Sequence, residues 1–155
     1  MEEKKILVGA DHAGFGLKEE IKDFLSSEGW LVSDLGPFAG EESCDYTLTA
    51  FQGGERVAAG EFPFAVLICG TGMGMAIAAN KVNGIRAVTC QDQITAFYTR
   101  AHNDANVLCL GGRITTPLVA QEVVRVFLRT PFSGGRHQRR IGQILDFEQA
   151  QKTGC

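Results

Sequence analysis

A single cysteine, Cys69, ends the apolar run VLIC and is followed by three glycines within five positions, in the segment CGTGMG. Gly70, Gly72 and Gly74 allow backbone N–H groups to approach an anion closely at the start of the next helix. Amide dipoles at a helix start favour a thiolate, which acts as a base or as a nucleophile. Cysteine is also among the most buried residue types. Position alone therefore leaves two interpretations open, a reactive thiol and a small core side chain.

Three other uses of a glycine loop can be compared with this spacing. A phosphate-binding P-loop ends in Gly-Lys-Ser/Thr, which this loop lacks. A dinucleotide-binding fingerprint needs a third glycine where Met75 or Ile77 stands, although Asp92 lies near the position of a ribose-binding acid. A cysteine phosphatase needs an arginine six residues after the nucleophile, and Met75 occupies that position. A non-catalytic nucleotide-binding module remains as an alternative of a different class.

Three histidines supply groups that exchange protons near neutral pH. His12 follows Asp11 after the first apolar run, His102 lies in RAHNDAN, and His137 lies in GGRHQRR. All three are predicted at the ends of elements, which favours functional over surface roles. Asp11 is suited to orient an imidazole or to accept a proton, and equally to cap the helix that starts near Gly14.

Arginines near these histidines indicate an anion-binding site. Arg113 follows two glycines, and GGRHQRR contains Arg136, Arg139 and Arg140. Because Arg136 and Arg140 are four residues apart, they share one face of a helix, where two guanidinium groups can hold a phosphate. The stretch has no interleaved aromatic residues and the net charge of the chain is -3. A small phosphorylated metabolite therefore fits better than a nucleic acid.

Alternating strands and helices are predicted to position these residues. Short apolar strands are predicted in KKILVGA, WLVSDLG, FAVLIC, IRAVTC and NVLCLG, and helices between them. The pattern predicts an α/β fold, a doubly wound (Rossmann-like) sheet of about five parallel strands with helices on both faces. We expect a weak second helix interrupted by Gly53-Gly54 and a closing helix over about 137–152. Ligands of such folds bind beyond the carboxyl ends of the strands.

Length and composition exclude several classes of protein. With 155 residues, 45% of them hydrophobic and 21% charged, the chain is predicted to form a single domain over 1–155. No apolar run approaches the ~20 residues of a membrane span, so we expect a cytoplasmic protein without membrane or nucleic-acid partners. An odd number of cysteines without a Cys-x-x-Cys pair argues against a disulfide scaffold and structural zinc. They are Cys44 in a loop, Cys69, the two predicted core residues Cys90 and Cys109, and Cys155 in the tail.

Several motifs taken together resemble the type B ribose-5-phosphate isomerase family, which also includes galactose-6-phosphate and allose-6-phosphate isomerases. They are GADHAGFGLK, ICGTGMG with IAANK, GIRAV, HND with NVL, and GGRHQRR, in order from Ile6 to about Ile144. The resemblance implies an aldose-ketose isomerase of D-ribose 5-phosphate and D-ribulose 5-phosphate, with allose or galactose 6-phosphate as alternative substrates. It further implies no metal or organic cofactor. The expected assembly is a homodimer, in some members a tetramer, with active sites completed across the interface and the closing helix in that interface.

The resemblance also implies roles for individual residues. Cys69 matches the base that moves a proton between C2 and C1 of the opened sugar through an enediolate, and Thr71 matches an assisting hydroxyl. His102, helped by Asp11, matches the group that opens the furanose ring. The expected anion hole for the enediolate oxygen consists of the amides of Gly70, Gly72, Met73 and Gly74 and the side chain of Asn103. The expected substrate-binding and phosphate-binding residues are His12, Tyr46, Arg113, Arg136, His137 and Arg140.

Two positions distinguish this chain within the family pattern. One branch has a glutamate base where Met75 stands, so cysteine chemistry is favoured here. The family usually reads Asp-Tyr-Pro after the second strand, whereas this chain has Asp45, Tyr46 and Thr47. Loss of the proline removes a restraint on the backbone. The shape of the sugar pocket is therefore the property that this sequence leaves open.

Overall fold

The computed structural model describes residues 3–40 and 43–154, so Cys155 lies outside the described residues. Strands and helices alternate along the chain, as predicted. The elements are β1 (Lys5–Ala10), α1 (Phe15–Ser27), β2 (Leu31–Asp34), α2 (Tyr46–Ala58), β3 (Ala65–Cys69), α3 (Met73–Ala79), β4 (Ala87–Thr89), α4 (Gln93–Asn103), β5 (Val107–Gly111), α5 (Pro117–Arg129) and α6 (Arg136–Thr153).

The strands form one parallel sheet in the order β2-β1-β3-β5-β4. This confirms the predicted α/β class and the doubly wound arrangement. After β1 the chain winds to β2 on one side, and it then crosses back to β3 on the other side. The strand order therefore reverses between β1 and β3, which is where open α/β sheets bind ligands beyond the carboxyl ends of their strands.

Two apolar cores lie on opposite faces of the sheet. Alternate residues of β1 point to opposite faces, so Ile6 and Val8 join the core under α1, α4 and α5 while Leu7 joins the core under α2 and α3. Burial on both faces explains why the strands are continuous apolar runs. Among the helices described here, none has the length and apolar character needed to cross a membrane.

Helix α2 corrects one expectation. The Gly53-Gly54 pair does not interrupt it, and the helix is continuous from Tyr46 to Ala58. A Cβ atom on Gly53 would lie 2.9 Å from Leu67 Cδ2, and one on Gly54 would lie 3.0 Å from Val82 Cγ2. The glycines therefore allow α2 to approach β3 and the end of α3 closely. This packing outweighs the helix propensity of about 1 kcal/mol that each glycine gives up.

The closing helix α6 extends one residue beyond the predicted 137–152 at each end. Ile141 is its one buried residue, whereas Ile144 and Phe147 are 46% and 66% exposed. A hydrogen bond from Gly84 N to Glu148 Oε2, 3.0 Å long, ties the helix to the segment before β4. Most of the apolar surface of α6 is thus not used to pack against its own chain.

Candidate active site

A cleft of about 350 Å³ lies at the reversal of strand order, beyond the carboxyl ends of β1 and β3. It joins the segment after β1, the glycine loop after β3, the start of α2 and the segment after β5. Its lining residues are Asp11, His12, Ala13, Tyr46, Cys69, Gly70, Thr71, Gly74 and Arg113. The structure therefore brings together eight of the predicted site residues from four separate parts of the sequence.

Cys69 is the last residue of β3 and is 4% exposed, yet it lines the cleft. Its Sγ accepts a hydrogen bond of 3.2 Å from Gly72 N. Gly72 precedes α3 with a φ of 81°, a left-handed conformation that favours glycine. The turn that this glycine permits places the N–H group against the sulfur, where it stabilises negative charge. Cys69 is both a core side chain and a group that faces the cleft.

The side chains after β1 are held by backbone groups. Asp11 is 6% exposed, and its Oδ1 accepts a 2.9 Å hydrogen bond from Gly14 N. This bond closes the turn before α1, but it does not cap the helix itself, whose N-cap residue is Gly14. His12 Nδ1 accepts a 3.3 Å bond from Cys44 N, which places the proton of the neutral ring on Nε2. No sequence pattern predicts this contact, because the backbone N–H of any residue except proline can donate.

Glycines let two large side chains form the walls of the cleft. A Cβ atom on Gly74 would lie 2.8 Å from Cε2 and Cζ of Tyr46, so the phenol ring covers that part of the loop. A Cβ atom on Gly70 would lie 3.1 Å from Arg113 Nη1. Arg113 N also donates to Gly70 O at 3.0 Å, which ties the segment after β5 to the loop after β3. A phenol and a guanidinium group therefore flank the Cys69 loop. On the exposed side of the Cys69 loop, Met73 N donates a long 3.4 Å hydrogen bond to Thr71 Oγ1.

The other predicted site residues form a second cluster at the amino ends of the strands, opposite the carboxyl ends where the cleft lies. Helix α4 starts after the carboxyl end of β4 and runs back for 11 residues, about 16 Å. At its end, the backbone oxygen of Asn103 accepts a 3.0 Å bond from Nε of Arg86, the residue before β4. One chain therefore does not bring His102 and Asn103 to the cleft that holds Cys69. The members of this cluster are His102, Asn103, Arg136, His137 and Arg140.

Stacked imidazoles organise the second cluster. The rings of His102 and His137 are 4.0 Å apart at an interplanar angle of 10°, and Tyr98 lies 4.9 Å from His102 on the same helix. Desolvation lowers the pKa of His137, and the nearby His102, Arg136 and Arg140 lower it further by charge repulsion. The neutral form of His137 is thus favoured beside two guanidinium groups at the start of α6.

The remaining sequence candidates have structural roles. Asp92 caps α4, accepting a 2.8 Å bond from Thr95 N that lowers the pKa of the carboxyl group. This hydrogen bond engages the carboxylate of Asp92, which a dinucleotide-binding site would need for the ribose hydroxyl groups. Cys90 and Cys109 are buried, as predicted, and desolvation raises the pKa of Cys90 to about 11 and that of Cys109 well above its usual value.

Cleft size alone does not identify the site. A larger cleft of about 650 Å³ lies at the amino ends of the strands, with Lys4, Trp30 and Phe62 among its lining residues. The described residues that line it include no cysteine or histidine. Over 3–40 and 43–154, no group of three histidine, cysteine or acidic side chains is arranged to hold a metal ion.

Known proteins match this chain over nearly its whole length. A family model described as Ribose/Galactose Isomerase matches residues 6–144. The ribose-5-phosphate isomerase B of Escherichia coli strain K12 is 45% identical over 146 residues, covering 94% of this chain and 97% of that protein. A structure of ribose-5-phosphate isomerase B from Clostridium thermocellum has a TM-score of 0.92 at 44% identity, covering 95% and 99% of the two chains. The Mycoplasma genitalium ribose-5-phosphate isomerase B with bound ribulose-5-phosphate has a TM-score of 0.91 at 39% identity, covering 96% and 99%.

Proposed function

The chain belongs to the ribose/galactose isomerase family, and from that premise we propose that it interconverts D-ribose 5-phosphate and D-ribulose 5-phosphate. It is an aldose-ketose isomerase, since its relatives are named ribose-5-phosphate isomerase B. Neither a six-carbon aldose phosphate nor a nucleotide-binding module is favoured by these relatives. The observation that carries the proposal is the cleft at the reversal of strand order, where a hydrogen-bonded cysteine lies between a tyrosine and an arginine.

Cys69 is the proposed base. In the open-chain aldose, the Cys69 thiolate removes the C2 proton, and the electron pair forms a C1–C2 double bond while O1 becomes an oxyanion. While the thiol holds this proton it can exchange with solvent. Cys69 then delivers a proton to C1, and transfer of the hydroxyl hydrogen from O2 to O1, assisted by Thr71, leaves a ketone at C2. Two of the four expected anion-hole amides already have acceptors, since Gly72 N donates to Cys69 Sγ and Met73 N donates to Thr71 Oγ1. We therefore propose the amides of Gly70 and Gly74 as donors for the oxyanion, and such preorganised donors contribute several kcal/mol, roughly 3 each. The reaction is internally balanced and consumes no oxidant or reductant.

The furanose ring must open before this transfer, and His102 is the proposed acid-base group. Within one chain His102 lies near the amino ends of the strands, whereas Cys69 lies at a carboxyl end. We therefore propose a homodimer in which His102 and Asn103 of the partner subunit complete each cleft, with Asp11 assisting. The exposed apolar residues of α6 support a place in this interface. A tetramer and the cytoplasmic location remain predictions from the sequence.

The phosphate group of the substrate needs fixed positive charge. Arg113 is in the cleft, and Arg136 and Arg140 lie at the start of α6 in the second cluster. We propose that Arg113 of one chain and Arg136 and Arg140 of the partner subunit enclose the phosphate. His12 and His137 donate further hydrogen bonds to the substrate.

An isomerase assay on the purified protein tests the proposed substrate. We expect kcat/KM for ribose 5-phosphate to exceed the values for allose 6-phosphate and galactose 6-phosphate. Calorimetric titrations with NAD and ATP serve as the comparison for nucleotide binding. Tight binding of a nucleotide without turnover of any sugar phosphate would contradict the proposed reaction.

Mixed dimers test whether the active sites are shared. Differently tagged Cys69→Ala and His102→Asn chains are co-expressed, and the dimer carrying both tags is isolated. Each parent homodimer has two damaged sites, whereas the mixed dimer has one intact site. In the unfractionated statistical mixture, activity should recover to about one quarter of the wild-type value. If no mixture gains activity over its parents, each site is built from a single chain and the shared-site proposal fails.

A further inference from the structure

Lys18 is a lysine on α1 whose side chain is completely buried, which is uncommon for this residue type. Its Nζ donates to Oδ1 and Oδ2 of Asp34 at 2.9 Å and to the backbone oxygen of Pro37 at 2.6 Å. It also lies 3.2 Å from Glu19 Oε1. Every donor of the ammonium group therefore has an acceptor. The acceptors include the carboxylate of Asp34, the last residue of β2, and the backbone oxygen of Pro37 in the turn that follows.

That turn connects Lys18 to the edge of the cleft. Gly36 N donates to Asp34 Oδ1 at 2.8 Å, and Ala10 N donates to Gly36 O at 2.9 Å. Ala10 directly precedes Asp11 and His12. The turn is thus fixed on one side by the Lys18 ammonium group and on the other side by the carboxyl end of β1.

Aromatic rings extend the contact along the loop. Lys18 Nζ lies 5.2 Å from the ring centroid of Phe15 and 5.5 Å from that of Phe38, within reach of cation–π attraction. Phe38 is nevertheless 78% exposed. A Cβ atom on Gly40 would lie 2.7 Å from Phe15 Cδ1, so residues 37–40 lie closely over the first turn of α1.

The same connection between β2 and α2 then supplies groups to the cleft. Cys44 N donates to His12 Nδ1 at 3.3 Å, and Tyr46 begins α2 with its ring against Gly74. Residues 34–40 are thus held by Lys18 and Ala10 at one end of the connection, and Cys44 and Tyr46 contact His12 and Gly74 at the other end. Lys18 does not line the cleft, so its effect on the cleft is indirect, and the bond to Pro37 makes the loop the route by which its side chain acts.

Stability alone does not account for a lysine here. Burying an ammonium group is costly, and an apolar side chain of similar volume is often as stabilising as a buried ion pair. Asp34 retains a second partner, since Lys22 Nζ lies 2.6 Å from its Oδ2. Burial alone would raise the pKa of Asp34, but hydrogen bonds from Lys22, Lys18 and Gly36 lower it overall. Lys18, unlike Lys22, adds a directed hydrogen bond to Pro37 and the contacts with the rings of Phe15 and Phe38.

We propose that Lys18 is a positioning residue that fixes the turn after β2, so that the connection to α2 delivers the Cys44 amide to His12 and the Tyr46 ring to the cleft. The kinetic consequence rests on the proposed isomerase function, whereas the structural consequence at His12 does not. Because the loop carries binding groups rather than the proposed base, its displacement should weaken substrate binding more than turnover.

Three variants test this inference. Lys18→Met removes the directed bond and keeps the volume, Lys22→Met is the matched control on the same carboxylate, and Phe38→Ala removes one exposed ring. For each, kcat and KM are measured with ribose 5-phosphate, and the side-chain ¹⁵N shifts of His12 are recorded at pH 8. A His12→Gln spectrum assigns the signals. These shifts report whether Nδ1 is an acceptor without requiring any enzymatic activity.

For Lys18→Met we expect kcat/KM to fall by about tenfold to a hundredfold, mostly through KM, with altered His12 Nδ1 shifts. Lys22→Met should stay within about twofold of wild type. Phe38→Ala should raise KM by about two- to fivefold, and it carries the test if Lys18→Met does not fold. A folded Lys18→Met protein with unchanged His12 shifts overturns the inference, as does an equal effect of Lys22→Met. If the wild type has no isomerase activity, the proposed function fails and the His12 shifts still decide the role of Lys18.

Discussion

Replacing Cys69 separates the chemical role of its sulfur from the structural one. Sγ accepts the hydrogen bond from Gly72 N, and the side chain is 4% exposed. In Cys69→Ala the buried N–H group loses its acceptor, which costs roughly 1–3 kcal/mol. For a domain of this size each kcal/mol lowers Tm by about 2–4 °C. In Cys69→Ser the hydroxyl oxygen accepts the same bond, so stability should change by less than about 1 kcal/mol.

Activity should respond differently from stability. Neither alanine nor serine provides a thiolate, so kcat should fall at least ~10³-fold in both variants, a loss of about 4 kcal/mol in transition-state stabilisation. Proton NMR in D₂O measures exchange of the substrate C2 proton, and calorimetry measures binding of ribose 5-phosphate. We expect exchange to be lost while binding is largely retained. Near-normal turnover in Cys69→Ser would refute the role of the sulfur as the base, whatever the stability of the variant.

Three further substitutions test the packing and the charges. Gly53→Ala should destabilise the protein by about 1–3 kcal/mol in urea unfolding, because its Cβ atom would lie 2.9 Å from Leu67 Cδ2; a stabilised variant would contradict the close approach of α2. Thr47→Pro, in the first turn of α2, should add about 0.4–1 kcal/mol by restricting the unfolded chain, and a loss of stability would show that the first turn needs the Thr47 N–H. Because the folded-state pKa of His137 is lowered, the unfolded chain binds its proton more readily, and stability should fall as pH drops through about 6.5. His137→Gln should make urea midpoints less dependent on pH between about 7 and 5, and an unchanged slope would contradict a lowered pKa of His137 in the folded protein.

The sequence predicted the fold class because its strands are apolar on both faces, a pattern that leaves few alternatives to a covered parallel sheet. It predicted the cleft as far as local order determines it, since His12 and the Cys69 loop directly follow strands. The prediction was wrong at Gly53-Gly54, where propensity indicated a broken helix. Contact with Leu67, distant in sequence, reverses that preference.

Other features depend on contacts that no local pattern contains. Lys18 in GLKEEIK has the composition of a solvent-facing helix, and its burial becomes visible only once Asp34 and Pro37 are placed. Likewise, His102 was predicted at the end of an element, but spacing does not say whether it lies near the carboxyl ends or the amino ends of the strands. The direction of α4 determines this, and it separates His102 from Cys69.

Helix α6 has 18 residues and buries Ile141 alone against its own chain. Most of the stability of a helix in a protein comes from tertiary packing, so folding of a solitary chain gains little from this segment. Under the proposed assembly, the free energy that holds α6 in place would vary with protein concentration. Dilution would then remove apolar cover from the helix and the second residue cluster from the cleft in a single step. Substitutions at Ile144 or Phe147 would accordingly change the dissociation constant of the dimer more than the melting temperature of concentrated protein.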